Sequence, residues 1–430
     1  MKDIETIEDG CTAHLITIYY IVMRVLLTDG SGLTSRQAAG LLSASGHEVE
    51  VLSPDPLCLA RFTRHVNRVR RVPSYGDDPL RWLSAALEIY REGAFDVMLP
   101  TQEQVAVLAA FPQKLHDAGV NTAVPSFAAL SAVQDKVSAW RTLSGLAIPQ
   151  PFANEVTDGW TRFPAYIKQP IGTASDGVRR IEGPAGLRID SEADPVLIQA
   201  AVEGPLVMCQ SVFDSGTLVA FHANERVAEG ANGGASHKRG IDLPAARESL
   251  ERLGRGLGWN GALSADVIVG PDGPLVIDVN PRLVEPVNAA RSGVDLVGAL
   301  VMIATGGHPG PAPVRGLCPD VATHQLVLAV LGAATQGAGR RGVVSQLWQA
   351  LRHKGLFAGS HEELTPIRGD PLTAVPLVRA IVATLLRPSS GTELASGSVA
   401  NYALSPAGWD QIRSSAEPSP GQGGSTGPPL

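Results

Sequence analysis

Short apolar runs alternate with stretches of helical spacing through the first part of the chain. Arg24-Val-Leu-Leu-Thr28, His47-Glu-Val-Glu-Val-Leu52 and Phe95-Asp-Val-Met-Leu-Pro100 have the pattern of buried strands. Between the first two, residues 35–45 read as a helix stopped by Gly46. Further helices are expected at 78–91, 104–115 and 127–130. Residues 23–125 thus predict a small doubly wound α/β domain. The turn Asp29-Gly-Ser-Gly32 has two glycines of a dinucleotide-type fingerprint but lacks the third, so a tight structural turn and a ligand contact both stay open. The basic segment 61–71 reads as a solvated connector. Thr101-Gln-Glu103 falls at the carboxyl end of a strand, where open sheets bind ligands, and makes Glu103 a substrate-contact candidate.

The pattern changes after residue 126. Asp135-Lys136-Val-Ser-Ala opens a helix that Gly145 stops. Phe163-Pro-Ala-Tyr-Ile-Lys168 is a strand that delivers a lysine, and 178–181 is its return strand. Ile171-Gly172-Thr-Ala-Ser175-Asp-Gly177 between them is rich in glycine and hydroxyls. Such a loop can close over phosphates with its N–H groups, Lys168 adding a point charge. An ordinary hairpin with a solvated lysine is the plainer alternative. Residues 195–204 read as a strand entering a linker, and 206–211 with 218–222 as a hairpin. Segment 230–240, which contains His237 and Lys238, is polar and basic and predicts a mobile loop over an anionic ligand. A merely disordered loop is its alternative. A helix then starts at Pro244, with Leu250, Leu253 and Leu257 on one stripe.

Two strands with a turn-forming link follow: Leu263-Ser-Ala-Asp266-Val-Ile-Val269, Pro271-Asp-Gly-Pro274, and Leu275-Val-Ile-Asp278-Val-Asn280. Side chains alternate along a strand, so Asp278 and Asn280 share a face, and a hairpin sets Asp266 opposite them. Two carboxylates and a carboxamide oxygen make a site suited to Mg²⁺ or Mn²⁺. Arg282 and Glu285 follow directly. Beyond an apolar helix at 292–304, residues 310–410 predict a small helical appendage. The Pro-, Gly- and Ser-rich residues 411–430 predict a disordered tail. The apolar run within 1–22 is too short to cross a bilayer, and this segment reads as a non-native or peripheral extension before Met23.

Composition narrows the function classes. A net charge of −7 argues against general nucleic-acid binding. Cys11, Cys58, Cys209 and Cys318 show no paired spacing, so neither a zinc site nor a disulfide framework is expected, and a cytoplasmic location fits best. No membrane partner is expected.

The order of these pieces resembles the ATP-grasp superfamily, over about residues 24–309. The motifs that carry the likeness are Asp135-Lys136-Val-Ser-Ala, Ile167-Lys168-Gln-Pro-Ile-Gly-Thr-Ala-Ser-Asp-Gly177 and Val276-Ile-Asp-Val-Asn-Pro-Arg282. The last is similar to the signature of biotin carboxylase and the carboxylate–amine ligases. The resemblance implies an N-terminal Rossmann-like domain at 23–125 and an ATP-grasp domain of α+β subdomains at 126–309. It implies ATP as cosubstrate, with Lys136 and Lys168 on its phosphates and Gly172, Ser175 and Gly177 in the loop over them. Gln199, Val202 and Glu203 would lie at the adenine-reading hinge. Asp266, Asp278 and Asn280 would hold the metal, Arg282 would steady the acyl phosphate or substrate carboxylate, and His237 and Lys238 would stand near the transferred phosphoryl. The sequence departs from the family where Ala200 and Leu206 replace the usual hinge and ribose acids. Both metal acids are aspartates where glutamate is more frequent.

The activity so implied is a ligase joining a small carboxylate to an amine through an acyl phosphate. A bicarbonate-phosphorylating carboxylase or carbamoyl-phosphate-type enzyme, and a non-catalytic ATP-binding protein, are the alternatives. No biotin-attachment segment is visible. Assembly as a homodimer is left open, as is whether Glu285 orients Arg282, binds the amine or finishes a turn.

Overall fold

The computed structural model describes residues 22–155, 159–187, 196–312 and 318–416. Four parallel strands open the chain: β1 (Arg24–Leu27), β2 (Glu48–Ser53), β3 (Arg68–Arg71) and β4 (Val97–Leu99), in the order β3-β2-β1-β4. Val25, Leu27, Val49, Val51 and Val97 are fully buried, as expected when helices cover both faces of a parallel sheet. Helices α1 (Leu33–Ala44) and α2 (Pro79–Gly93) make crossovers, and Asp78 caps the second by accepting from the Arg81 N–H. The segment 61–71 is mostly exposed or half-buried as expected, but its end, β3, is an edge strand and not a plain connector. Its Arg70 reaches the buried Glu50 at 2.5 Å, and Arg24 shares that carboxylate at 3.4 Å. The single helix expected over 104–115 is divided at Pro112 into α3 (Val105–Ala110) and α4 (Pro112–Asp117), because proline lacks the N–H that would continue it.

Helices α5 (Phe127–Gln134) and α6 (Lys136–Gly145) lead to a small antiparallel sheet. It comprises β5 (Ala153–Asn154), β6 (Ala165–Lys168), β7 (Val178–Ile181) and β8 (Leu197–Ala200), in the order β5-β8-β6-β7. Ala165, Ile167, Ile181 and Ile198 give it a core of its own.

The large sheet has the order β13-β12-β9-β10-β11-β14-β15. Its strands are β9 (Leu206–Asp214), β10 (Thr217–Glu229), β11 (Ala235–Ile241), β12 (Gly261–Gly270), β13 (Gly273–Asn280), β14 (Ala322–His324) and β15 (His361–Glu362). One face, with Cys209, Phe213, Leu263 and Val267, packs on Leu250 and Leu253 of α7 (Pro244–Leu257). On the other, Val212, Ala220 and Ala262 join the first domain's core. The expected helix at 292–304 is preceded by a short helix, giving α8 (Val287–Arg291) and α9 (Leu296–Ala304), and α9 closes that second face.

Segment 230–240 departs most from expectation. From Ala235 it is not a mobile loop but strand β11, with Ser236, His237 and Lys238 buried. It is held on both sides, by β10 and by β14, and β14 comes from a distant stretch that no local pattern reveals. The C-terminal region is helical as expected, with α10 (Leu326–Thr335), α11 (Gly339–Leu351), α12 (Ala374–Leu386), α13 (Ser390–Val399) and α14 (Pro406–Ala416). It also donates β14 and β15 to the large sheet.

Helix α14 corrects the expected tail at its start. Trp409 and Ile412 are buried on the first domain, Trp409 with its ring 5.8 Å from that of Phe127. Residues 1–21 and 417–430, and the expectations placed on them, lie outside the described residues. Cys58 and Cys209 are free and buried, whereas Cys318 is disulfide-bonded; sequence spacing says nothing about cysteines that tertiary folding brings together. Among the described residues no helix is long and apolar enough to cross a membrane.

Candidate active site

Hairpin β12–β13 sets Asp266 opposite Asp278 and Ser264 opposite Asn280. The register then slips, so that Val267 pairs with Val276 and Ile277 is the extra residue of a bulge. The Ile277 carbonyl accepts a hydrogen bond from Lys168 Nζ at 2.7 Å. Lys168 comes from β6 of the small sheet and is buried. Burial depresses its pKa, while the Asp278 carboxylate pulls it upward. Asp266 is pushed up to about 7, first by burial and then by Asp278; Arg282 and Lys168 oppose the shift. Two carboxylates forced together out of water favour a proton or a cation between them. Among the described residues no group of three or more His, Cys, Asp or Glu side chains is placed to hold a metal. The metal-type site is therefore a carboxylate pair with the Asn280 amide beside it.

The loop after β6 faces this pair. Lys136 Nζ donates to the Gly172 carbonyl at 3.0 Å, and the Lys136 N–H to that of Pro170 at 3.0 Å. These bonds tie the start of α6, capped by Asp135, to the loop. Ala174, Ser175 and Gly177 are left-handed, with φ of 53°, 66° and 69°. Backbone turns of this kind can point N–H groups into an anion-binding concavity. A Cβ on Gly172 would lie 2.3 Å from the Asp176 carbonyl oxygen, so only glycine fits there. Lys136, Gly172, Thr173, Asp278, Asn280 and Glu103 line one cleft.

Glu103 is the hub of that cleft. Its carboxylate accepts from Arg282 Nε at 3.1 Å, Thr173 Oγ1 at 3.4 Å and Gln134 Nε2 at 3.3 Å. Three separate segments thus converge on a residue that the sequence marked only by its place at a strand end. Two contributors gave no sequence signal. Leu404 lines the same cleft. Tyr402 is buried, which raises its hydroxyl pKa, and it feels the charges of Arg282, Asp29 and Glu103.

Other expected residues lie elsewhere. Gln199 is buried on β8, between Tyr166 and Ala153 in register. Val202 and Glu203 follow where the chain leaves the small sheet, Glu203 exposed. His237 is not among the residues that line the cleft. Its ring stacks on His324 with centroids 5.8 Å apart and meets Phe357 edge-on at 4.5 Å, and burial takes its pKa to about 4. Lys238 is held between Glu285 and Glu363, each at 2.5 Å. Gln325 donates to Glu285 at 2.6 Å and Gln37 to Glu363 at 3.0 Å. At the first glycine-rich turn, Asp29 accepts from the Ser31 and Gly32 N–H groups and from the Ser35 hydroxyl. The turn's donors are thus satisfied within the protein, which favours the structural reading of that turn.

The sequence profile of an ATP-grasp domain family matches residues 133–286. The chain carries an ATP-grasp domain. Solved structures agree on the fold. Biotin carboxylase of Campylobacter jejuni, in a β-γ-ATP complex, superposes with a TM-score of 0.54 at 15% identity, over 67% of this chain and 72% of that one. N5-carboxyaminoimidazole synthetase of Staphylococcus aureus, complexed with ADP, gives 0.55 at 14%, over 72% and 83%. The biotin carboxylase domain dimer of Hydrogenobacter thermophilus 2-oxoglutarate carboxylase, with MgADP, ADP and bicarbonate, gives 0.54 at 14%, over 71% and 74%. No curated protein sequence matches the chain significantly. The ATP-grasp segment contains the metal-type pair, both lysines, the loop and Arg282. Glu103 and Leu404 reach the cleft from outside that segment, and Tyr402 lies within range of the charges of Arg282 and Glu103.

Proposed function

We propose that the protein is an ATP- and Mg²⁺-dependent ligase that joins a small carboxylate to an amine. The half-buried pair Asp266–Asp278, with Lys168 between the pair's hairpin and the glycine-rich loop, carries this reading. Mg²⁺ bound by Asp266, Asp278 and Asn280 would offset the charge of the ATP phosphates. Lys136 and Lys168 hold phosphate oxygens, the N–H groups of loop 172–177 cover them, and Gln199, Val202 and Glu203 border the nucleoside. Arg282, oriented by Glu103, offers a planar partner to the carboxylate substrate.

The chemistry follows from leaving groups. A carboxylate cannot expel oxide. Transfer of the γ-phosphoryl to a carboxylate oxygen gives ADP and an acyl phosphate. The amine nitrogen then bonds to the carbonyl carbon, the C–O bond breaks, and phosphate departs with that oxygen. Protons shed by the nitrogen pass to phosphate and solvent. The enclosing loop and Tyr402 limit water at the acyl phosphate.

The test is release of ADP and phosphate that needs both a carboxylate and an amine. Undiminished release by Asp278→Ala would sink the proposal. Bicarbonate phosphorylation is the second reading, favoured by the fold shared with biotin carboxylases. Bicarbonate-dependent ATP turnover without an amine would establish it, and tight ATP binding with no turnover would leave a binding protein.

Self-association belongs to the same proposal. Val344, Trp348 and Leu351 on α11, and Val375, Val378 and Val382 on α12, are about half exposed or more. Their spacing puts each set on one face, and the two helices pack together. Leu356 and Leu386 are further exposed apolar side chains of this region, and a standard interface draws roughly 800 Å² from each partner. A second copy of this chain, related by a two-fold axis, is the occupant we assign.

A further inference from the structure

Residues opposite each other in an antiparallel sheet share a face. Asp266 stands opposite Met208, and Met208 opposite Asn224; Ser264 stands opposite Gln210; Arg226 stands opposite Lys238. A polar strip therefore crosses the sheet from the metal-type pair, over β9 and β10, to Lys238. In the middle of this strip, both polar atoms of the Asn224 side chain and the carbonyl oxygen of Gln210 have no protein partner, although each residue is only 1% exposed. A buried amide left unpaired costs about 1–3 kcal/mol. Such groups make sense as half of a contact that a ligand completes.

The charge at the far end of the strip says what kind of ligand. Glu285 and Glu363 flank one cation, Lys238, so the cluster holds one more acid than base. Glu363 Oε1 is buried and makes no well-formed hydrogen bond, with the Thr323 side chain as the polar group beside this carboxylate. Nearby cations are engaged elsewhere: Arg36 with Asp370 at 3.0 Å, Arg282 with Glu103 at 3.1 Å, and Arg226 with Glu229 at 3.3 Å. A second anion would be repelled here, whereas a cation restores neutrality.

We propose that the acceptor subsite lies along this strip and takes a primary amine as its ammonium ion, with Glu285 and Glu363 as charge partners, one of which takes the proton that the nitrogen must lose before it attacks, and the Asn224 and Gln210 carboxamides as hydrogen-bonding floor. The assignment rests on the ligase reading and adds the amine's charge state and its place. Glu363 comes from the C-terminal region, so the amine site is completed by a segment outside the ATP-grasp domain.

The experiment compares two nucleophiles on the same acyl phosphate. Hydroxylamine, uncharged near neutral pH, traps the intermediate as a hydroxamate. The cationic probe is the primary amine, among methylamine and the common α-amino acids, that most raises phosphate release. In Glu363→Gln the ratio of kcat/KM for the amine to that for hydroxylamine is expected to fall at least tenfold, through KM for the amine. Asn224→Ala removes no hydrogen bond within the protein and is expected to lower the same ratio; it decides the matter alone should Glu363→Gln fail to fold. An unchanged ratio in the folded variants overturns the subsite. Hydroxamate formation by the wild type without turnover of any cationic amine also overturns it while leaving acyl phosphate chemistry intact. No hydroxamate with any carboxylate is instead the failure of the ligase reading.

Discussion

Arg282 Nε donates to Glu103 Oε1 at 3.1 Å, joining the metal-type hairpin to the carboxyl end of β4 in the first domain. The same carboxylate takes Thr173 from the loop. Glu103→Gln keeps the shape but removes the charge that orients the guanidinium. We expect kcat to fall roughly 10- to 100-fold, the scale of a misplaced reacting group, with the dissociation constant for ADP nearly unchanged. Steady-state kinetics beside an ADP titration checks both, and an unaltered kcat would remove Glu103 from the site.

Lys168 is buried and its charge is disfavoured there. Lys168→Met keeps the length and drops the charge. Nucleotide affinity is expected to fall at least tenfold while thermal stability holds or rises, because burying a charge costs more than burying a thioether. Calorimetric titration with ATP, and thermal melts of the free protein, read the two effects separately.

Lys238 neutralises two buried glutamates. Lys238→Met strands them, and removing one partner of a buried ion cluster costs about 3–5 kcal/mol. The loss has a pH signature. Burial raises the Glu363 pKa, so the stranded Glu363 binds a proton more readily folded than unfolded, and the deficit shrinks as pH falls. Urea midpoints of variant and wild type should lie closer at pH 5 than at pH 8; a gap that widens toward acid contradicts the assignment.

His222, hydrogen-bonded to Asn288 at 2.7 Å, is taken to about 4 by burial. Unfolded histidine titrates near 6.5. Between these values the unfolded chain binds the proton and the folded one does not, so this group's contribution to stability is present above about 6.5 and lost as pH falls toward 4. The raised carboxyls of Asp266 and Glu363 act in the opposite sense. The histidine is therefore isolated as a difference: His222→Gln should lose less stability than wild type between pH 7 and pH 5. Parallel profiles would refute it.

Trp348 is half exposed at the centre of the α11 stripe. Sedimentation of the wild type is expected to show a dimer, and Trp348→Glu a monomer with its melting temperature preserved. A monomeric wild type at micromolar concentration would sink the two-fold interface.

What the sequence displayed was whatever local pattern encodes. Asp266, Asp278 and Asn280 were legible because strand alternation and a turn fix their relation. Lys136, Lys168 and the loop were legible because glycines and hydroxyls cluster beside lysines. The misjudged segments owe their structure to distant partners. Strand β11 looked like a loop because the β14 strand that holds it lies far along the chain. Strand β3 reads as a connector because Glu50, which pairs with Arg70, lies in a separate segment of the chain. Leu404 and Tyr402 carry no motif at all. They matter because the C-terminal region folds back on the cleft.

That fold-back reaches further than the site. Leu404, Trp409 and Ile412 are buried in one cluster with Leu26, Leu52 and Trp82, and Asn401 donates to Ser31 at 3.0 Å. The first domain's interior is thus finished by some of the last described residues to be synthesised. During translation its α2–α3 side must wait, apolar and uncovered, until residues 404–412 have left the ribosome. Assembly of the first domain and closure of the cleft are then the same late event, and a nascent chain has no finished catalytic surface before it.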